Sequence, residues 1–142
     1  MASKGVSDLR KIIAKVRKLP AEGRTEVAIA LQAVSLSLIG KGFDRSQAPD
    51  GTAWGGITHR DGVPLIDNGH LRGSWMPGKA NASGFTVVSN SEYAAVHQFG
   101  HTFQRISSKG KTYQQTVTPR PMIPVGALPP QWEREFAAVA TK

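Results

Sequence analysis

The segment 21–41 constrains the fold most, because its apolar residues cover more of a helix surface than one packing partner requires. Four of them recur at the heptad-like spacing of one helix face: Val27, Leu31, Val34 and Leu38. Ile29, Ala33 and Leu36 extend this surface onto the neighbouring face. Two interpretations stay open, a core helix beneath a sheet and a helix that also contacts another subunit.

Helices are predicted at both ends of the chain. The first has one apolar face, formed by Leu9, Ile12, Ile13 and Val16, and it breaks near Pro20. Gly40 and Gly42 are predicted to stop the second helix. The last helix spans about residues 130–140 and places three residues on one face: Trp132, Phe136 and Val139.

The middle of the chain predicts turns and short strands. Turn-forming clusters fill residues 43–72, which we interpret as a long loop or arm. Strands are predicted at 71–77, 85–89 and 111–118, with a turn over 78–84. A short helix at 92–99 should turn Tyr93, Val96 and Phe99 inward.

These elements predict an α+β fold with N-terminal helices, a small antiparallel β-sheet and a C-terminal helix. A length of 142 residues favours one domain. Within residues 1–142 we assign a helical part (1–42), the arm (43–72), the sheet (73–122), and a Pro-rich connector with the last helix (123–142).

The composition limits the classes of function. The chain lacks cysteine, so disulfides and thiolate metal sites are excluded. Charges are spread over the first nineteen residues, and the apolar stretch 27–39 is shorter than the roughly 20 residues of a membrane span. We therefore expect cytoplasmic synthesis and no membrane contact. The net charge of +8 is concentrated in residues 1–24 and 93–132. This positive charge suggests a nucleic acid or an acidic surface as a partner.

The two histidines His97 and His101 are the strongest metal candidates, because side chains four residues apart share one side of a helix. The glutamate of a His-Glu-x-x-His site is missing, since position 98 is glutamine. Phosphate-binding glycine loops are also absent from the sequence. We therefore expect no metal site, no cofactor and no enzymatic activity.

Four blocks of the sequence resemble, in order, the motifs of the phage virion morphogenesis (tail completion) proteins of Mu-like and related tailed phages. They are APDGTAW at 48–54, PLIDNGHLRGS at 64–74, YAAVHQFG at 93–100 and PRPM at 119–122. The sequence departs from the family pattern between the first two blocks, where the insert is short and lacks the usual basic segment. The resemblance implies a virion component that completes the tail or joins it to the head, without catalysis or a cofactor.

A protein of this kind is expected to form a homo-oligomeric ring, a hexamer, in the neck or at the tail end of the virion, after assembly in the host cytoplasm. Its partners would be neck, connector and tail-tube proteins. We expect the second helix and the arm to supply complementary subunit surfaces. The interface candidates are Val27, Leu31, Val34, Leu38, Trp54, Trp75, Arg120 and Trp132. Contact with passing DNA stays open, as does the alternative of a basic DNA-binding accessory protein.

Overall fold

The computed structural model describes residues 4–54 and 70–140, and it confirms the α+β fold with helices at both ends. The middle of the predicted arm, residues 55–69, lies outside these ranges. The helices are α1 (Lys4–Arg17), α2 (Ala21–Arg45), α3 (His70–Gly73), α4 (Ala94–Phe99) and α5 (Pro130–Ala140). The strands are β1 (Trp75–Asn81), β2 (Gly84–Ser89), β3 (His101–Ile106) and β4 (Thr112–Val117).

Helix α2 continues through Gly40 and Gly42 and ends only at Arg45, so the prediction that these glycines stop it is wrong. Each glycine costs about 1 kcal/mol relative to alanine inside a helix. Continuing the helix, however, buries Phe43 completely, and burial of a phenylalanine side chain contributes about 1.5–3 kcal/mol. The helix is capped by Ser46, which adopts a left-handed backbone with φ 53°.

Among the described residues, one hydrophobic core forms where the C-terminal half of α2 meets α5. Trp54 closes one side of it, because its ring packs edge-on against Phe43 with centroids 5.4 Å apart. The indole N–H of Trp54 donates to the Pro121 carbonyl at 2.9 Å. The buried members of the core are Leu38, Ile39, Phe43, Trp54, Met122, Trp132 and Phe136. The predicted inward face of the last helix is thereby confirmed for Trp132 and Phe136.

Helix α2 is long and apolar enough to cross a membrane, if only length and composition are considered. In this structure α5 and strands β1 and β2 pack against it. Its buried face also includes the polar side chains of Gln32 and Ser35. The Ser35 hydroxyl donates to the Leu31 carbonyl at 2.9 Å, one turn earlier in the helix.

Strands β1 and β2 pair antiparallel to form hairpin 1. Their register shifts between Pro77 and Ala80, a bulge of the kind that turns backbone groups out of the ladder. Gln32 of α2 binds at this bulge, where its Nε2 donates to the Gly78 carbonyl at 3.1 Å and to the Thr86 carbonyl at 2.8 Å. Hairpin 1 is therefore fixed to α2 by a buried amide as well as by apolar contact.

Substitution of Gly78 with alanine is expected to lower the free energy of unfolding by about 1–3 kcal/mol, the usual cost of overpacking. A Cβ at this position would collide with Thr86 Oγ1 and lie 3.2 Å from the Thr86 carbonyl oxygen. Chemical denaturation measures the change. Gly73→Ala is the matched control, because a Cβ there meets nothing within 4 Å. Equal stability of the two variants would contradict the predicted collision.

Several predicted boundaries in the middle of the chain are wrong. The predicted strand 71–77 begins as the helical turn α3, which places Leu71 against the core and Arg72 2.9 Å from the Asp44 carboxylate. Strand β1 starts only at Trp75 and extends into the predicted turn as far as Asn81. The predicted strands 85–89 and 111–118 are confirmed as β2 and β4. Strand β3 was not predicted, and it pairs with β4 in a separate hairpin 2.

Candidate functional site

Gln98 of α4 holds the connector, residues 118–129, against the body of the protein. Its side chain is 5% exposed, and its Oε1 accepts hydrogen bonds from the N–H groups of Met122 at 2.7 Å and Ile123 at 3.1 Å. Its Nε2 donates to the Ile123 carbonyl at 2.9 Å. Since the connector's prolines cannot donate hydrogen bonds, this one amide satisfies backbone groups that would otherwise be buried without partners.

Gly100 fixes the direction of hairpin 2 relative to α4. Its φ of +75° lies in a region that favours glycine, and a Cβ here would lie 2.8 Å from Pro119 Cγ. The Gly100 N–H donates to the Val96 carbonyl at 2.8 Å, and the Arg120 N–H donates to the His97 carbonyl at 2.7 Å. Both ends of hairpin 2 are therefore attached to the same short helix.

Large apolar side chains are exposed around α4 and the connector. Tyr93 is 62% exposed, Phe99 64% and Val125 70%, so the prediction that Tyr93 and Phe99 turn inward is wrong. Helix α4 has only six residues, and its inward face is taken by Gln98. Phe99, Ile123, Val125 and Asp50 border a recess of about 550 Å³. We call these four residues the connector surface. Exposed apolar patches of this kind are typical of protein interfaces.

A second apolar recess, of about 520 Å³, lies between α1, α2, α5 and the turn of hairpin 1. Arg17 and Arg24 lie at its wall, and Arg24 Nε is buried without a hydrogen-bond partner among the described residues. The recess therefore suits an apolar segment that carries a hydrogen-bond acceptor. We call it the helix groove; its apolar walls are formed by Ile12, Val16, Val27, Leu31, Phe85 and Phe136.

Most of the interface candidates lie in the core or pack against it. Leu38, Trp54 and Trp132 are buried in the core of the subunit, so the chain itself already covers them. Val34 is half-buried and packs against the same core. Val27 and Leu31 differ, because both line the helix groove. They remain candidates for contact with another molecule.

Trp75 and Arg120 lie closer to the connector. Trp75 is half-buried beside Phe99 and Ile123, and its indole Nε1 is buried without a hydrogen-bond partner in the described part of the chain. Arg120 is half-buried at the base of hairpin 2. Both residues remain interface candidates.

The two histidines do not share a helix face. His97 lies on α4, whereas His101 begins β3 after the turn at Gly100. Within residues 4–54 and 70–140, no group of three or more His, Asp or Glu side chains is positioned to hold a metal ion. The spacing of four residues therefore does not produce the helical ligand pair that motivated the metal hypothesis.

His97 should make stability depend on pH. Burial, and then the positive charge of Arg120, hold the pKa of His97 below its ordinary value of 6.5. The neutral imidazole therefore stabilises the fold fully above pH 6.5, and this contribution is lost as the pH falls towards the lowered pKa of the folded state. We expect the free energy of unfolding to drop more between about pH 7.5 and about pH 5 in the wild type than in His97→Gln. Parallel pH profiles would contradict this effect.

Three residues that hold the connector and the two hairpins in place were not predicted as site residues. Gly100 carried a signal, since a glycine after a short helical pattern is a typical helix end. Gln98 and Gln32 carried none, because a glutamine that binds distant backbone groups has no characteristic spacing. Their roles become visible only when the connector and hairpin 1 are in place.

Comparison with known proteins supplies the family. A model of the phage virion morphogenesis family matches residues 6–131, a range that reaches from α1 to the start of α5 and includes the connector surface and hairpin 2. The chain matches neither a curated protein nor a solved structure. The match confirms the resemblance drawn from the four sequence blocks. The chain therefore belongs to the phage virion morphogenesis family, and its role is a structural one in building the phage particle.

Proposed function

We propose that this protein forms a ring at the head–tail junction of a tailed phage, where it completes the tail and allows the head to join it. The observation that carries the proposal is the exposed connector surface, on which Phe99 and Val125 are each more than 60% exposed in a member of a virion morphogenesis family. A subunit that leaves such side chains in water gains stability when a neighbour covers them. The proposal includes no catalysis and no cofactor.

The positions of the two recesses support head-to-tail contacts. The helix groove lies between α1, α2 and α5, whereas the connector surface lies beside α4. Two different surfaces on one subunit suit heterologous association, which closes into a ring when the rotation between neighbours is a simple fraction of a turn. We propose a hexamer that contacts neck, connector or tail-tube proteins within the virion, after assembly in the host cytoplasm.

The net charge of +8 motivates a second candidate, a basic DNA-binding accessory protein. DNA passes through a junction ring, so electrostatic contact with DNA is compatible with both candidates. Salt dependence separates them, because DNA binding by basic side chains weakens steeply as salt rises. Ring formation that persists at high salt, without DNA binding by the isolated subunit, favours the structural role.

The experiment is a phage in which this gene carries a stop codon, grown in a non-suppressing host. We expect electron micrographs of the lysate to show full heads and separate tails, and we expect purified wild-type protein added to the lysate to restore infectivity. Tails of uncontrolled length would instead place the protein at the tail terminus. Complete, infectious particles made without the protein would overturn the proposed function.

A further inference from the structure

Among the described residues, little packs against hairpin 2 to stabilise its strand pair. Strands β3 and β4 form one uninterrupted ladder of six residue pairs, yet they make hardly any contact with the described helices or with hairpin 1. Every described side chain in the two strands is exposed except that of Val117, which is half-buried. An isolated two-stranded hairpin is at best marginally stable in water, and three or more strands are usually needed. Within the part of the chain that the structure describes, the ladder is therefore left at two strands.

The turn of hairpin 2 defines which backbone groups face outward. The Gly110 N–H donates to the Ser107 carbonyl at 2.9 Å, and the Ser107 N–H donates to the Lys111 carbonyl at 2.8 Å. Gly110 is left-handed with φ 80°, as in a three-residue loop that closes on a hydrogen-bonded pair. Such pairs alternate with pairs whose N–H and C=O groups point away from the hairpin. Gln104 and Gln114 form one of these outward-facing pairs.

The outer edges of hairpin 2 lack two of the features that prevent strand addition. Proline and bulges do not interrupt either strand, although both are common devices for protecting a sheet edge. The residues whose backbone groups point outward are uncharged: Thr102, Gln104 and Ile106 in β3, and Thr112, Gln114 and Thr116 in β4. The edges of two identical hairpins can therefore approach each other without facing charges at the pairing positions.

We propose that hairpin 2 pairs with hairpin 2 of a second copy of this chain, with the outer edge of β4 in one subunit against the outer edge of β3 in the next. This proposal rests on the ring proposed above. Repetition of the contact continues the antiparallel order β3–β4–β3–β4 around the ring, and closure leaves no free edge. Because the edges of β3 and β4 differ, the contact is head-to-tail, as ring formation requires.

A second copy fits these observations better than DNA does. DNA binding would use the basic side chains Arg105, Lys109 and Lys111, but it would leave the outward N–H and C=O groups unpaired and the ladder at two strands. Pairing between copies satisfies these groups and also supplies the additional strands that the hairpin lacks. Lys109 lies in the turn of hairpin 2 and Lys111 directly follows it, so both stay available for other contacts.

Hydrogen exchange on the full-length protein tests the pairing without any substitution. In the dilute monomer the amides of Gln104 and Gln114 should exchange rapidly, and in the assembled ring they should slow roughly 100-fold. The amides of Arg105 and Tyr113, which face each other inside the hairpin, report whether the hairpin itself is formed. Rings in which Gln104 and Gln114 still exchange rapidly would overturn the pairing while leaving the proposed function intact.

Two proline variants test the same contact by sedimentation of the full-length chain. Gln104→Pro and Gln114→Pro each remove one outward N–H without removing a bond inside the hairpin, so both should stay folded and lose the ring. The control Lys109→Ala with Lys111→Ala should keep it. A chain that remains monomeric at millimolar concentration, or a ring that survives both proline variants, overturns the pairing. The pairing is also overturned if only the variant without the two lysines loses the ring and the wild-type protein binds DNA in a salt-sensitive way. The role of hairpin 2 would then be electrostatic.

Discussion

Phe43→Ala is expected to lower the free energy of unfolding by about 3–5 kcal/mol, the usual cost of truncating a fully buried phenylalanine. Phe43 is 0% exposed and packs edge-on against Trp54, so its removal leaves a cavity beneath the indole ring. A domain of this size has a total stability of only about 5–15 kcal/mol. The variant should therefore unfold at much lower denaturant concentration, which chemical denaturation monitored by tryptophan fluorescence measures.

Ile29→Ala is the control for Phe43→Ala, because Ile29 lies on the same helix and is 52% exposed. Its loss should change the free energy of unfolding of the monomer by about 0.5 kcal/mol or less. If Ile29→Ala destabilised the dilute monomer as strongly as Phe43→Ala, the assignment of the core to the other face of α2 would be wrong.

Gln98→Leu is expected to lower the free energy of unfolding by about 3 kcal/mol or more. Leucine has nearly the same size, but it leaves the N–H groups of Met122 and Ile123 and the Ile123 carbonyl without their partner. Each buried backbone group that loses its hydrogen bond costs about 1–3 kcal/mol. The connector should detach from α4 before the rest of the chain unfolds, and faster amide exchange at Met122 and Ile123 reports this directly.

Gln131→Leu provides the matched control for Gln98→Leu. Gln131 is half-buried on α5, and its side chain has no hydrogen bond within the described ranges. The same chemical change there should have an effect of about 0.5 kcal/mol or less. Equal losses in the two variants would show that the connector does not depend on Gln98.

Sequence periodicity predicted the helices well, because an apolar face that recurs every three or four residues is imposed by the core. The inward face of α5, with Trp132 and Phe136, follows from this rule, whereas the break at Pro20 follows from the missing N–H of proline. The end of α2 does not follow from this rule, since a glycine indicates only a local free-energy cost within a helix. The buried side chain of Phe43, three residues beyond Gly40, outweighs that cost.

Strand β3 was missed for a different reason. Its residues are mostly polar and exposed, so they carry no apolar alternation that a sequence pattern could detect. The spacing of His97 and His101 fits one side of a helix, but Gly100 ends the helix between them. A polar strand pair that packs little against the other described elements leaves little signal within its own sequence.

Aromatic residues showed where burial matters without showing which surface covers them. Trp54 and Trp132 were proposed for an interface and lie in the core, whereas Tyr93 and Phe99 were predicted to turn inward and are exposed. Both outcomes have one cause. An aromatic side chain gains free energy from any apolar cover, and only the fold decides whether that cover belongs to the same chain or to a neighbour.

Cryo-electron microscopy of the intact virion tests the proposed junction ring most directly. We predict a closed ring of identical subunits between head and tail, in which each copy meets its neighbours through two different surfaces and Phe99 is covered. A particle whose junction contains no copy of this chain, or contains it only as separated monomers, would contradict that role.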